Sequence, residues 1–515
     1  MRVGTSDALA HSATHRGNFH DVVAMTETWK IPVLGVTPNE AKRALLQLGG
    51  VVAWWCASWL AIGPSMEPGG AVFAVYVLLF VAAFAGKVVA RFPPMPPLLG
   101  QLVAGFVLRN VPGLDEAVGE AVDARCSSAM RTAALGVILV RAGLSLDVAA
   151  VYRLRWPASR LAFAPSTAEA LTVALLAKPA LDLPWTYCAV LGFLFAAISP
   201  AVVIPSLLNL QEKGYGVKAG VPALVVTAAS VDVVYSIAGF GVCAGFLVTA
   251  RGGANAAAWK APVQIAAGAA LGYLAGTALG AITPPDKDAS DDTEEGTKRG
   301  RGKAWEVTGE TPGSRASWLL GISLLILFAG AEAEMTGGAA LAVIVASAAA
   351  AREWGAVDAK ACGSILNGLW NDLAQPLLFA LIGAAVDVSR LSGDEVGAGI
   401  GLLAAGLCVR GLVAFLAAGG GQLAFSERVF VAVAWMPKAT VQAALAGLPL
   451  DAAIAHEGGA GGVETKRAEV ILALGVLAIL ITAPLGAAAV AVSGERLLVK
   501  AEADDEESNG EINRR

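Results

Sequence analysis

Five ionisable side chains stand inside otherwise apolar runs of this sequence: Glu169, Asp232, Asp372, Arg410 and Lys438. A charge at bilayer depth costs about 2.5–3.5 kcal/mol on insertion scales, so such residues face a bundle interior, pair with one another or line a water-filled cavity. Asp232 is the sharpest case. It lies in residues 214–241, GYGVKAGVPALVVTAASVDVVYSIAGFG, whose start is loosened by Gly214, Gly216, Gly220 and Pro222 and which carries hydroxyls at Thr227 and Ser230. Desolvation favours a neutral acid and a neighbouring cation favours the carboxylate. Where the two balance, a proton and a metal cation compete for the same oxygens. A hard cation such as Na+ or Li+ takes oxygen ligands, and Asp232, Thr227, Ser230, Thr440 and freed backbone carbonyls supply them. Asp232 would hold that transported ion transiently. The plainer reading of Asp232 is a carboxylate that only pairs with a basic neighbour.

Glu169 and Arg410 each sit mid-span with apolar flanks, which suggests an interior ion pair. Lys438 follows Pro437, where a helix can open, and Thr440 is close behind. Competition at one carboxylate becomes exchange of a monovalent cation for a proton if the bundle exposes that carboxylate to each side in turn. Arg410 and Lys438 also fit a carrier of anions or organic solutes. No catalytic triad, phosphate loop or metal-hydrolase constellation is present, so neither an enzyme nor a bound cofactor is expected. The six cysteines form no CxxC pair, none of the four histidines falls in a candidate span, and no basic stripe interleaved with aromatics suggests nucleic acid.

The elements that must position these residues are membrane helices. The 515-residue chain is 56% hydrophobic and only 15% charged, with mean hydropathy +0.64. A soluble chain carries about a quarter charged residues. The apolar runs are too long for barrel strands, and lipid leaves backbone groups no partner outside a helix. Abundant glycine, 59 residues, suits close helix–helix approach. The fold class expected is all-α, a polytopic membrane protein of about 13 or 14 transmembrane helices, counting the stretch around Asp232 as two crossings. A polar N-terminal tail at 1–43 precedes a first membrane half at 44–282, a charged linker at 283–315, a second half at 316–498 and an acidic tail at 499–515. Nothing in the first tail reads as a secretory signal. Trp54, Trp55 and Trp59 could anchor the first span at an interface or face another subunit. Ser199, Pro200 and Pro205 predict a broken helix in the first half, and Thr336–Gly338 or Asn371–Pro376 are its candidate counterparts in the second. Paired interrupted helices suggest inverted repeats whose half-helix ends meet ions at the midplane.

Six blocks carry a resemblance: PPLLGQLVAGFVLRNVP, LVRAGLSLD, ISPAVVIPSLL, GYGVKAGVPALVVTAASVD, AQPLLFALIGAAVDVS and FVAVAWMPKATVQAAL. In this order, over about 44–493, the chain resembles the NHA-type sodium/proton antiporters. These are the solute carrier family 9 subfamily B branch of the cation–proton antiporter superfamily, with an NhaA-like fold. The resemblance implies a dimerisation domain, a six-helix core domain moving like an elevator, homodimers, and exchange of Na+ or Li+ for H+ in pH homeostasis. It matches Asp232 to the first acid of the family's Asp-Asp pair, Glu169 and Arg410 to an interior ion pair, Lys438 and Thr440 to a block near the ion site, and Asp372 to an acid of the second crossover region. One position departs: the second acid of the pair is Val233. Transport through Asp232 alone, or a transport-defective homologue with a regulatory or dimer-partner role, both follow. The membrane, whether plasma, endomembrane or mitochondrial, stays open.

Overall fold

The computed structural model describes residues 38–146, 154–249, 254–284, 311–333, 335–419, 423–457 and 462–500. Most of both tails and the middle of the charged linker lie outside these residues. Among the described residues every regular element is helical: α1 Pro38–Ile62, α2 Ala71–Val89, α3 Pro97–Asn110, α4 Ala124–Leu144, α5 Arg155–Leu181, α6 Trp185–Ala196, α7 Pro200–Glu212, α8 Val221–Thr249 and α9 Ala254–Ile282 in the first half. The second half holds α10 Pro312–Glu332, α11 Thr336–Leu369, α12 Gln375–Ala384, α13 Gly393–Ala417, α14 Phe425–Ala434, α15 Thr440–Leu445, α16 Leu448–Glu457 and α17 Val463–Leu497. Nine helical segments among the described residues are long and apolar enough to cross a membrane.

The chain divides into two compact units, Met1–Phe73 and Ala74–Arg515. In the first, α1 begins at Pro38, inside the stretch expected to be tail. Trp55 donates to Met66 O at 3.0 Å and Trp59 to Glu67 Oε1 at 3.3 Å, while Trp54 is exposed.

In the second unit two triplets of similar order pack together: α5, the interrupted α6/α7 and α8, and α13, the interrupted α14–α16 and α17. The other helices build a layer in which α11 touches α4, α9 and α10, and α12 touches α3. Four expectations change. The stretch around Asp232 is one continuous helix of 29 residues, α8, rather than two crossings; its glycines at 214, 216 and 220 take positive φ in the turn before it. Thr336–Gly338 opens α11 without a break, because Gly337 lies against Gly241 of α8. Asn371–Pro376 falls in a π-turn, Trp370–Ala374, that runs directly into α12. The interruption that meets the first one is Trp435–Ala439 instead, while α11 kinks at Gly355, where φ is 82° and ψ 169°. The linker is also shorter than expected at both ends. Thr283 accepts from Trp354 Nε1 at 3.0 Å, and the buried Arg315 lies 2.7 Å from Asp358 and donates to Pro284 O at 2.5 Å.

The glycine content has a specific use on α9. Gly268, Gly272 and Gly276 form a stripe at i, i+4 spacing, and a Cβ on them would stand 2.1, 2.3 and 2.2 Å from the carbonyl oxygens of Gly338, Ala342 and Ala346 on α11. Without a solvophobic drive between lipid-immersed helices, such close backbone approach supplies the packing. Gly272→Ala is therefore expected to lower the melting temperature in detergent, at a cost of about 1–3 kcal/mol from overpacking. Gly321→Ala on α10, where a Cβ meets nothing within 4 Å, should leave it unchanged or raise it; differential scanning fluorimetry reads both.

Candidate ion site

Proline ends the two interrupted helices. The residue before a proline is pushed out of the α region, and Ser199, ahead of Pro200, is extended at φ −102° and ψ 101°. Pro200 then serves as the first residue of α7, where its missing N–H costs nothing, and α7 continues through Pro205. In the second half α14 stops at Ala434 and the chain through Pro437 is irregular until Thr440. The breaks touch: Ser199 N–H donates to Pro437 O at 2.9 Å.

An interrupted helix leaves terminal carbonyls without intrahelical donors. Side chains from across the crossing meet those of α6. Gln442 Nε2 donates to Leu194 O at 3.0 Å and to Ala197 O at 2.8 Å. Lys438 Nζ donates to Phe195 O and Arg410 Nη1 to Ala196 O. Arg410 Nε also donates to Trp435 O, at the end of α14, at 2.5 Å. Two cations thus sit at the negative ends of two half-helices, as the helix dipole favours.

Two carboxylates answer them. Glu169 Oε2 accepts from Arg410 at 2.8 Å and from Lys438 at 2.9 Å, and Lys438 Nζ is 2.8 Å from Glu169 Oε1. Asp232 accepts from Ser166 Oγ through Oδ1 and from Ile198 N–H through Oδ2 at 2.9 Å, and its Oδ1 is 3.6 Å from Arg410 Nη2. Thr482 Oγ1, on α17, accepts from Lys438 N–H at 3.0 Å. Glu169, Asp232, Arg410 and Lys438 are all fully buried, at 0% exposure. With every group ionised, their charges cancel.

The structure therefore brings Glu169, Asp232, Arg410, Lys438 and Ser199 together. Thr440 opens α15 and is buried. Thr227 and Ser230 are displaced by about 140° and 160° around α8 from Asp232 at roughly 100° per residue, and the Ser230 hydroxyl is spent on Val226 O at 3.0 Å. Asp372 is exposed in the π-turn, apart from the buried charges. Val233 is 2% exposed within the apolar core. Sequence reasoning missed Ser166, Gln442, Thr482 and the Ile198 N–H. Only Ser166 left a signal, three residues before Glu169 on the same helical face.

Interrupted helices crossing around balanced, lipid-shielded charges define an integral, multi-pass membrane protein with a sodium/proton antiporter fold. The chain belongs to the sodium/hydrogen exchanger family: the family model described as "Sodium/hydrogen exchanger, transmembrane" matches residues 76–284 and 303–492. It is 36% identical over 467 residues to mouse sodium/hydrogen exchanger 9B2, covering 90% of this chain and 80% of that protein. It is 35% identical over 453 residues to human sodium/hydrogen exchanger 9B1, covering 87% and 82%. Among solved structures it is similar to the sodium proton antiporter MjNhaP1 from Methanocaldococcus jannaschii at pH 8, with TM-score 0.63, 17% identity, and coverage of 83% of this chain and 98% of that one.

Removing one partner of a buried pair strands the other charge, at about 3–5 kcal/mol. Arg410→Ala leaves two carboxylates facing one ammonium, whereas Glu169→Gln with Arg410→Gln leaves one of each. The single variant is expected to lose more thermal stability in detergent than the double; equal losses would mean that the charges are not coupled.

Proposed function

We propose that this protein is a secondary transporter exchanging a monovalent cation, Na+ or Li+, for protons across a membrane, with Asp232 as the acid at which the two compete. The observation that carries this reading is the neutral sum of four fully buried charges at the crossing of two interrupted helices. A cation entering such a cluster leaves it one charge in excess, and a burial site of low dielectric penalises that excess. With Asp232 ionised, a proton or a cation bound there each adds one charge and both together would add two, so the arrival of one expels the other, which couples the two movements. The names of the relatives point to the same pair of substrates. The proposal extends to a homodimer, as the family likeness implies, and to an ion path between the membrane halves 44–282 and 316–498.

A second reading has its own support. Val233 offers no oxygen, and each Asp232 oxygen already holds a donor, Ser166 Oγ or Ile198 N–H. On that reading Asp232 is a strut of the first break, and the chain is a transport-defective homologue with a regulatory or dimer-partner role.

Proteoliposomes carrying an internal pH dye separate the two. An imposed Na+ or Li+ gradient should drive proton movement in the parent protein, and Asp232→Asn should reduce it to the level of empty liposomes. Silence in the parent with exchange appearing in Val233→Asp would establish the second reading.

A further inference from the structure

Three uncharged oxygens around the crossing are buried yet carry no hydrogen bond among the described residues: Ser199 Oγ, Ser236 Oγ and Gln442 Oε1; the charged Glu169 Oε1, 2.8 Å from Lys438 Nζ, and the donors Arg410 Nη2 and Trp435 Nε1 also make none. Ser199, Ser236 and Gln442 are all 0% exposed. Buried polar atoms without partners are rare and costly, and each of these departs from what its position normally provides. Ser199 is the N-cap of α7, where a serine ordinarily accepts from the first free N–H groups; here it makes no such bond. Ser236 lies within α8, where a buried serine usually turns to the carbonyl one turn back. Ser323 and Ser347 do so at 2.7 Å each, and Ser230 does so at 3.0 Å. Ser236 does not. The amide of Gln442 is oriented by its two bonds to Leu194 O and Ala197 O, which leaves its own oxygen free.

Their placement links them to one locus. Gln442 Nε2 is 2.8 Å from Ala197 O, two residues before Ser199. Ile198, between them, donates to Asp232 Oδ2 at 2.9 Å. Ser236 follows Asp232 by four residues, about 40° around the same helix face. One oxygen comes from the first break, one from α15, the short helix that follows the second, and one from the helix that carries the acid.

We infer that Ser199, Ser236 and Gln442 supply a neutral-oxygen ligand set that, with Asp232, binds a small dehydrated monovalent cation at the helix crossing. This rests on the exchange reading above and deepens it. The set replaces the carboxylate that Val233 does not provide, and does so without adding charge to a cluster that is already balanced. Hydroxyl and amide oxygens suit a hard cation, and with only one acid beside them a divalent ion would leave more charge uncompensated than a monovalent one. Thr227 and Ser230, on other faces of α8, are not part of the set.

The test uses the purified full chain. Thermal unfolding in NaCl or LiCl is compared with choline chloride at equal ionic strength, for the parent, Ser199→Ala, Ser236→Ala and, as a partnered buried hydroxyl elsewhere, Ser347→Ala. Na+ or Li+ should raise the melting temperature of the parent and of Ser347→Ala. The shift should fall by half or more in Ser199→Ala and Ser236→Ala, whose stability in choline should match or exceed the parent's because an unpartnered hydroxyl has gone. In liposomes, their half-saturating cation concentration should rise about tenfold, the equivalent of 1.4 kcal/mol. No cation-specific shift in the parent, or an undiminished shift in both variants, overturns the ligand set, and water then serves these oxygens. If the parent moves no protons but its shift is lost in the variants, the site stands and the exchange reading fails. If the parent exchanges ions and the variants keep its half-saturation, the exchange reading stands and the ligand set fails.

Discussion

The rest of the structure depends on one constraint: four carbonyls of an interrupted helix need donors where lipid and packing exclude water. Breaking α6 after Ala196 frees backbone groups that hydrocarbon cannot satisfy. Arg410, Lys438 and Gln442 reach across to fill that need. Two of these donors are cations, which would be prohibitive there alone. Glu169 and Asp232 follow from them, and the placement of α5, α8, α13 and α14–α16 follows from the need to deliver all four charges to one point.

That arrangement explains why Glu169 is shared and not simply paired. Its two oxygens serve both Arg410 and Lys438, so the three residues act as a unit across three elements. Asp232 takes a different part: it holds the Ile198 N–H in the first break and stands farther from Arg410 than Glu169 does, 3.6 against 2.8 Å. The looser contact belongs to the acid we propose as the exchange site, and the tighter one to Glu169, which bridges Arg410 and Lys438.

The layer around α9 and α11 solves a separate problem with other chemistry. Its helices approach through glycine and alanine, backbone against backbone. The charged crossing is thereby backed by a closely packed layer that contains none of the four buried charges.

Much of this was legible in the residues. Long apolar runs with few charges dictate membrane helices, because only helices satisfy their own backbone in lipid. Ionisable residues within those runs mark the interior, because their cost elsewhere is too high; Glu169, Asp232, Arg410 and Lys438 were all readable in this way. Pro200 announced the first break. The second break was not located at Thr336–Gly338 or Asn371–Pro376, since glycine can equally serve close packing and a π-turn can carry a helix onward. Asp372 has the residue type of an interior acid, yet its π-turn exposes it. Whether a polar side chain answers a particular carbonyl is a matter of distances between segments far apart in the chain. Gln442, Thr482 and Ser236 look like ordinary polar residues until the two breaks are brought into contact. Local composition determined which segments leave water and which charges must be sheltered. Only the tertiary crossing decided which donor meets which acceptor, because hydrogen bonding acts over a few ångströms and sequence separation says nothing about that distance.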